Sequence, residues 1–151
     1  MEGKLKLLFL LLLLALTGTE GALAESLLVG RWAYFMKIYD EQEMPEPPGA
    51  TLRLRYEFSE AGISRLYWWH EGESDLCERR GHYRLELGIL VDEVTWINPA
   101  NSYGCSRDPD MQNGKITRTP ISFENGNMLM RLQFGEEEIF YVWKKMKEGE
   151  L

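Results

Sequence analysis

The segment TLRLRYEFSEAGISRLYWWHE, residues 51–71, reads as two strands and the turn between them. From Thr51 to Phe58, the residues Leu52, Leu54, Tyr56 and Phe58 alternate with Arg53, Arg55 and Glu57. A period of two places one set on a buried face and the other in solvent. Ser59-Glu60-Ala61-Gly62 is a tight turn closed by glycine. The return strand, Ile63 to Glu71, carries large residues on both faces: Leu66 and Trp68 on one, Ile63, Tyr67 and Trp69 on the other. Phase alone does not choose which of these two faces is inside.

The same alternation recurs on either side. Upstream, Leu28 to Tyr39 sets Trp32, Tyr34, Met36 and Ile38 against Arg31 and Lys37, and predicts a strand. Asp40 to Ala50 holds three prolines and is expected to be a loop. Downstream, Cys77 to Gly81 leads into a strand with Tyr83, Leu85 and Leu87 inward and His82, Arg84 and Glu86 outward. Arg79 falls in phase with the apolar set, so either a bulge at Gly81 resets the phase or Arg79 is partly buried. After Gly88 the run Ile89 to Asn98 carries Leu90, Val94 and Trp96 on one face. Asn98 to Gly114 is rich in turn residues and is expected to be a long irregular connection. Lys115 to Phe123 is a weaker strand, an edge or an interrupted one because of Pro120. Asn125-Gly126 then marks a hairpin. Asn127 to Phe134, with Met128, Met130, Leu132 and Phe134 on one face, and Glu137 to Lys145 complete the set.

About eight strands joined by short connections favour an antiparallel up-and-down meander. Closing such a meander into a barrel removes its exposed edges. The expected fold is therefore all-β, a barrel or flattened barrel, with a sandwich or half-open barrel as the runner-up. One domain is expected over residues 25–145, with 146–151 as a frayed tail.

The first residues carry a different signal. Lys4 and Lys6 precede an unbroken apolar run, Leu7 to Leu16, and Ala22-Leu23-Ala24 is a small-x-small cleavage pattern. This three-part plan is that of a secretory signal peptide over residues 1–24. The apolar run is about half of the ~20 residues that span a bilayer. A soluble chain, secreted or periplasmic and not membrane-spanning, is expected to start near Glu25. The net charge of −7 provides no electrostatic footprint for nucleic acid. Cys77 and Cys105 are the only cysteines, and in an exported chain they are expected to pair. Two free thiols or a metal pair are the alternatives, though His70 and His82, the only histidines, stand at no finger-like spacing.

Several short marks together resemble the lipocalins and their small secreted bacterial relatives. Gly30-Arg31-Trp32 opens the first strand as the G-x-W mark opens those proteins. Tyr56-Glu57-Phe58 followed by Gly62, Gly81-His82-Tyr83 with Leu85 and Leu87, and the closing Tyr141-Val142-Trp143-Lys144 resemble their later strands. The chain departs from lipocalins proper in lacking a T-D-Y mark. It also has Lys144 and Lys145 where they carry an arginine that packs across the first-strand tryptophan. The resemblance implies a lipocalin-like barrel and, with it, an interior able to take a ligand.

Tyr34, Tyr56, Trp68, Tyr83, Trp96 and Met130 are the candidate ligand-binding residues, an aromatic interior suited to a small apolar or aromatic ligand. The alternative is a filled core in a non-catalytic interaction protein, an inhibitor or envelope accessory. Such a protein would meet its partner through the loops around Trp69 and Asn98 to Gly114. Beside Trp69, the residues His70, Glu71, Glu73 and Asp75 offer a sugar-stacking or metal-binding reading against the plainer one of a packing tryptophan and a solvated acidic turn. Asp108 to Gly114 matches a calcium loop poorly: its glycine comes one place late and no glutamate closes it. Turn capping accounts for its Asp and Asn residues. There is no G-x-S-x-G elbow, and nothing sets a distance between Glu57, Glu71 and Glu93. No catalytic residue, metal site or cofactor is expected.

Overall fold

The computed structural model describes residues 24–147, 149 and 150. Of the signal peptide expected over residues 1–24, all but Ala24 lies outside them. A helical turn over 24–28 leads into β1 (Gly30–Tyr39). There follow β2 (Gln42–Pro45), β3 (Leu52–Phe58), β4 (Ile63–His70), β5 (Leu76–Glu86) and β6 (Ile89–Ile97). Two short 3-10 turns, Tyr103–Arg107 and Pro109–Met111, precede β7 (Ile116–Glu124), β8 (Asn127–Phe134) and β9 (Glu137–Lys145). Every pairing is antiparallel, and sequential neighbours run from β3 to β9. β1 pairs with both β3 and β9 and so closes an eight-stranded barrel. β2 is an added strand on the outer half of β1.

β2 corrects the expectation of a loop over 40–50. Asp40 and Glu41 both take left-handed φ, 49° and 58°, and form the two-residue turn of a β1–β2 hairpin. This is turn geometry that Asn-Gly signals and Asp-Glu does not. Pro45 ends the strand at its exposed edge, where no N–H is needed. β5 is also longer than expected, running unbroken from Leu76 through Gly81.

The interruption expected at Pro120 is instead a change of partner, β7 running unbroken over Ile116–Glu124. β7 pairs with β6 through Ile116 to Pro120 and with β8 only from Ile121 to Glu124. The proline sits where the strand changes partners, so its missing N–H breaks neither ladder in the middle. On the Ile116 side of that point β7 and β8 are unpaired, toward one end of the barrel.

The other end is closed. Leu28, from the N-terminal turn, is fully buried in a cluster with Trp32, Phe58, Tyr83, Leu90 and Met128. Trp32 Nε1 donates to the Leu28 carbonyl at 2.8 Å and holds that turn across the barrel end. Burying each large apolar side chain contributes roughly 1.5–3 kcal/mol. Lys145 stands where the family resemblance calls for arginine. Its Nζ lies 5.2 Å from the Trp32 ring centroid and donates to the Leu27 carbonyl at 3.0 Å. The first tail residues are tied to β1: Met146 N–H donates to the Arg31 carbonyl at 2.8 Å.

Two expected inward residues point elsewhere. Leu87 forms the β5–β6 turn with Gly88, at φ 49° and 78°, and is fully exposed. Trp96 is displaced by a bulge: Arg80 faces Trp96 while Gly81 faces Val94, so Thr95 is the extra residue. One extra residue moves every later side chain of that strand to the opposite face. Gly81 allows the two strands to approach there, since a Cβ would collide with the Glu93 carbonyl.

Candidate functional site

The open end of the barrel leads into a cavity of about 500 Å³. Strands β3 and β4 supply Leu52, Leu54, Leu66 and Trp68 as one wall, and β8 supplies Met130 and Leu132. The pairing Leu54 to Trp68 and Tyr56 to Leu66 resolves the two-faced β4 strand, because paired residues share a face. His70, Phe134, Asp108 and Asp110 stand at the rim. The separation of β7 and β8 adds a side opening, with Thr117 and Thr119 facing Leu132 and Phe134 around the cavity.

A polar group closes the floor. Asp92 is fully buried. Its Oδ2 accepts from Tyr56 OH at 2.5 Å and from Arg79 Nη1 at 2.6 Å, and its Oδ1 accepts from Ser64 Oγ at 2.5 Å. Arg79 Nη2 also donates to Tyr56 OH at 3.3 Å. Burial, then the adjacent Asp92 carboxylate, push the Tyr56 phenol up, so it stays protonated and donates. Burial pulls the Arg79 guanidinium down, but Tyr56 and Asp92 outweigh it and hold it above its ordinary value. A buried charge pair of this kind is sustained by such hydrogen bonds. The sequence carried a signal for it. Asp92 falls in phase between Leu90 and Val94, and Arg79 in phase with Tyr83, so two opposite charges face inward on neighbouring strands.

Of the six candidate ligand-binding residues, Tyr56, Trp68 and Met130 meet at the cavity. Tyr34 lies beside it, 5.1 Å from Tyr141 and 5.9 Å from Trp143 between ring centroids. Burial first, and then Glu46 and Tyr141, push its phenol up to about 12. Tyr83 belongs to the closed end, where it packs on Phe58 and its hydroxyl donates to the Ser59 carbonyl at 2.7 Å. Trp96 lies on the outer surface, 38% exposed, with the Arg80 guanidinium 4.8 Å from its ring. Residues outside that set that line the cavity include Arg79, Leu132, Tyr141 and Trp143, with Asp92 bonded to Arg79. Trp143 was legible only as part of a last strand of undecided facing.

The disulfide joins Cys77 to Cys105, as expected. With Met111 it forms a small second core that Trp68 and Ile97 pack against. The bridge thus fixes the 103–111 turns beside the cavity rim. There Asp108 Oδ1 accepts from Asp110 N–H at 2.8 Å, which is turn capping. Near Trp69, Glu71 accepts from Arg53 at 2.9 Å while His70 Nδ1 lies 3.0 Å from the Thr51 hydroxyl. These side chains are engaged separately, and the described residues contain no group of three or more acidic, His or Cys side chains arranged for a metal. A wider groove of about 710 Å³ lies on the outer surface by the β1–β2 tip. Its lining mixes Ile38, Leu129 and Phe140 with Asp40, Glu41, Glu137 and Glu138, and it holds none of the six candidate residues.

No family model matches the chain, and no curated protein matches it by sequence. Among the solved structures that the chain matches are two from Bacteroides species. One is a lipocalin-like protein from Bacteroides uniformis, 15% identical, with a TM-score of 0.52 over 80% of this chain and 99% of that one. The other is an uncharacterized protein from Bacteroides eggerthii, 18% identical, with a TM-score of 0.49 over 79% of this chain and 99% of that one. The closed antiparallel barrel and the first of these likenesses define the chain as lipocalin-like in fold. Among the described residues no helix is long and apolar enough to cross a membrane.

Proposed function

We propose that this is an exported, non-catalytic, lipocalin-like protein that takes a small apolar or aromatic ligand into its barrel. The cavity of about 500 Å³ carries this reading, being within the range of about 300–1,000 Å³ typical of small-molecule sites. Its walls are leucine, methionine and tryptophan, and its polar floor groups are engaged mainly with one another rather than poised for chemistry. Export is supported by the N-terminal pattern and by the disulfide.

Titration with the fluorescent apolar probe phenylnaphthylamine tests it. Saturable, one-to-one enhancement is expected in the wild type and its loss in Leu54→Trp, which fills the cavity. No saturable binding to the folded wild type would end the ligand reading. Expression of the full chain in a Gram-negative host is expected to yield a periplasmic protein beginning at Glu25.

The second reading, an interaction protein, has one observation in its favour. On the outer face Tyr67 and Trp69 stack at 5.8 Å, with Arg65 4.1 Å from the first ring and Arg55 5.5 Å from the second. Aromatic and arginine side chains together are typical of protein-binding hot spots. Trp69→Ala would abolish that function and leave probe binding unchanged.

A further inference from the structure

The outer face of β3 and β4 carries more cations than its own carboxylates meet. Paired residues share a face, so Arg55, Tyr67 and Glu78 stand in one outward-facing row across β3, β4 and β5. Ala33 continues that row to Lys144 on β9. Arg31, Glu57, Arg65 and Arg80 form the row on one side of it, and Arg53 and Trp69 the row on the other. Three carboxylates stand among these cations, and each is already engaged: Glu57 with Arg65 and Tyr67, Glu71 with Arg53, and Glu78 with Arg65 and Arg80. Among the described residues Arg31, Arg55 and Lys144 form no ion pair. Arg31 donates to the Lys147 carbonyl and Arg55 to the Leu54 carbonyl, both at 3.2 Å. The Lys144 ammonium lies 3.3 Å from the Phe35 ring centroid. Burial pulls the Arg55 guanidinium below its ordinary value; Tyr67 opposes this, and the neighbouring Arg53 and Arg31 add to it. In a chain of net charge −7, this face is locally positive.

The chemistry of a partner follows from what the face offers. Tyr67 and Trp69 already stack on each other, with the Arg65 and Arg55 guanidiniums over their rings. A flat guest, a sugar or a base, would compete with those contacts. A guanidinium lying on a ring keeps its in-plane N–H edge for a carboxylate. The surplus is modest, six cations against three carboxylates. A dense polyanion would meet those carboxylates and the negative charge of the whole chain. Carboxylates spread along an extended peptide fit better. Side chains on alternate residues of such a peptide recur every ~6.6 Å, the repeat that separates Arg53 from Arg55 on β3. Beside them an open groove of about 350 Å³ is lined by Arg31, Arg65 and Arg80 against the single carboxylate of Glu57.

We propose that the outer face of β3 and β4 docks a protein partner through an extended acidic segment, whose alternate carboxylates meet Arg55 and the groove of Arg31, Arg65 and Arg80. This rests on the interaction reading above and names the chemistry of the partner that reading leaves open.

Fluorescence anisotropy with three short fluorescein-labelled peptides tests it, each alternating threonine with glutamate, glutamine or lysine. The glutamate peptide is expected to bind the wild type most tightly, and less so as salt is raised. It is expected to lose about tenfold in affinity in the double variant Arg31→Gln with Arg55→Gln. It should keep its affinity in Arg118→Gln with Arg131→Gln, which removes the same charge from β7 and β8. Selectivity among the peptides is read on the wild type alone. Equal losses in the two double variants, or a heparin fragment that binds more tightly than the glutamate peptide, would overturn the inference. Preference for the glutamine or lysine peptide, lost in Trp69→Ala, would overturn it and leave the interaction reading standing. Failure of all three peptides to bind would overturn both.

Discussion

Arg79 donates through Nη1 to Asp92 Oδ2 at 2.6 Å, and the two side chains are 3% and 1% exposed. An ion pair placed this deep makes the interior sensitive to the loss of either partner. Asp92→Asn leaves the Arg79 charge without a counter-ion and weakens the bonds to Tyr56 and Ser64. The expected cost is about 3–5 kcal/mol, read from the urea midpoint at constant m-value. The double variant Arg79→Met with Asp92→Leu is expected to recover only part of it, since the Tyr56 and Ser64 hydroxyls then lose their acceptor. A single variant within 1 kcal/mol or so of wild type would show that the pair is not held as described.

The Cys77–Cys105 bridge has a separable role. It restrains the 103–111 turns and packs in its own small cluster, apart from the main core. Replacing both cysteines with serine is expected to cost about 3–4 kcal/mol by the chain-entropy model. The far-UV circular dichroism of the folded state should be unchanged. Limited proteolysis should open the 98–114 connection first. Loss of the β signal under native conditions would mean that the bridge holds the barrel itself.

Leu87 is strained and unsupported. It takes φ 49° at the β5–β6 turn and is fully exposed. A left-handed conformation is costly for a leucine and cheap for asparagine. Leu87→Asn is therefore expected to stabilise the protein by about 1 kcal/mol, seen as a raised thermal midpoint. A lowered midpoint would mean that the leucine makes a contact the structure does not contain.

Glu78 contributes to the response to acid. Burial pushes its carboxyl up, but hydrogen bonds from Arg65, Arg80 and Asn98 outweigh it and hold the group below its ordinary value. A lowered folded-state pKa contributes stability that is present above the unfolded value, about 4.3, and is lost as pH falls through the folded one. Glu78→Gln should therefore lower stability at neutral pH and flatten its decline between about pH 5 and pH 3. Parallel pH profiles for the two proteins would remove Glu78 from the account.

The sequence by itself determined the class of fold. Period-two alternation at Leu52 to Phe58, the Asn125-Gly126 turn and the short connections specify antiparallel strands, because side-chain facing and turn geometry are local properties. The pairing of the only two cysteines was legible for a related reason: it needed only their number and the expectation of export. Three of the six candidate residues, Tyr56, Trp68 and Met130, line the cavity. Tertiary structure decided the rest, where the cause lay in another strand. The facing of Trp96 depends on one extra residue relative to β5. The place of Pro120 depends on where β6 begins and β8 takes over. Whether the interior is filled or hollow depends on how far β7 and β8 diverge, and no single strand records that distance. Arg79 and Asp92 show the difference most plainly. Each sits in the inward phase of its own strand, but only closing the barrel brings the two charges together.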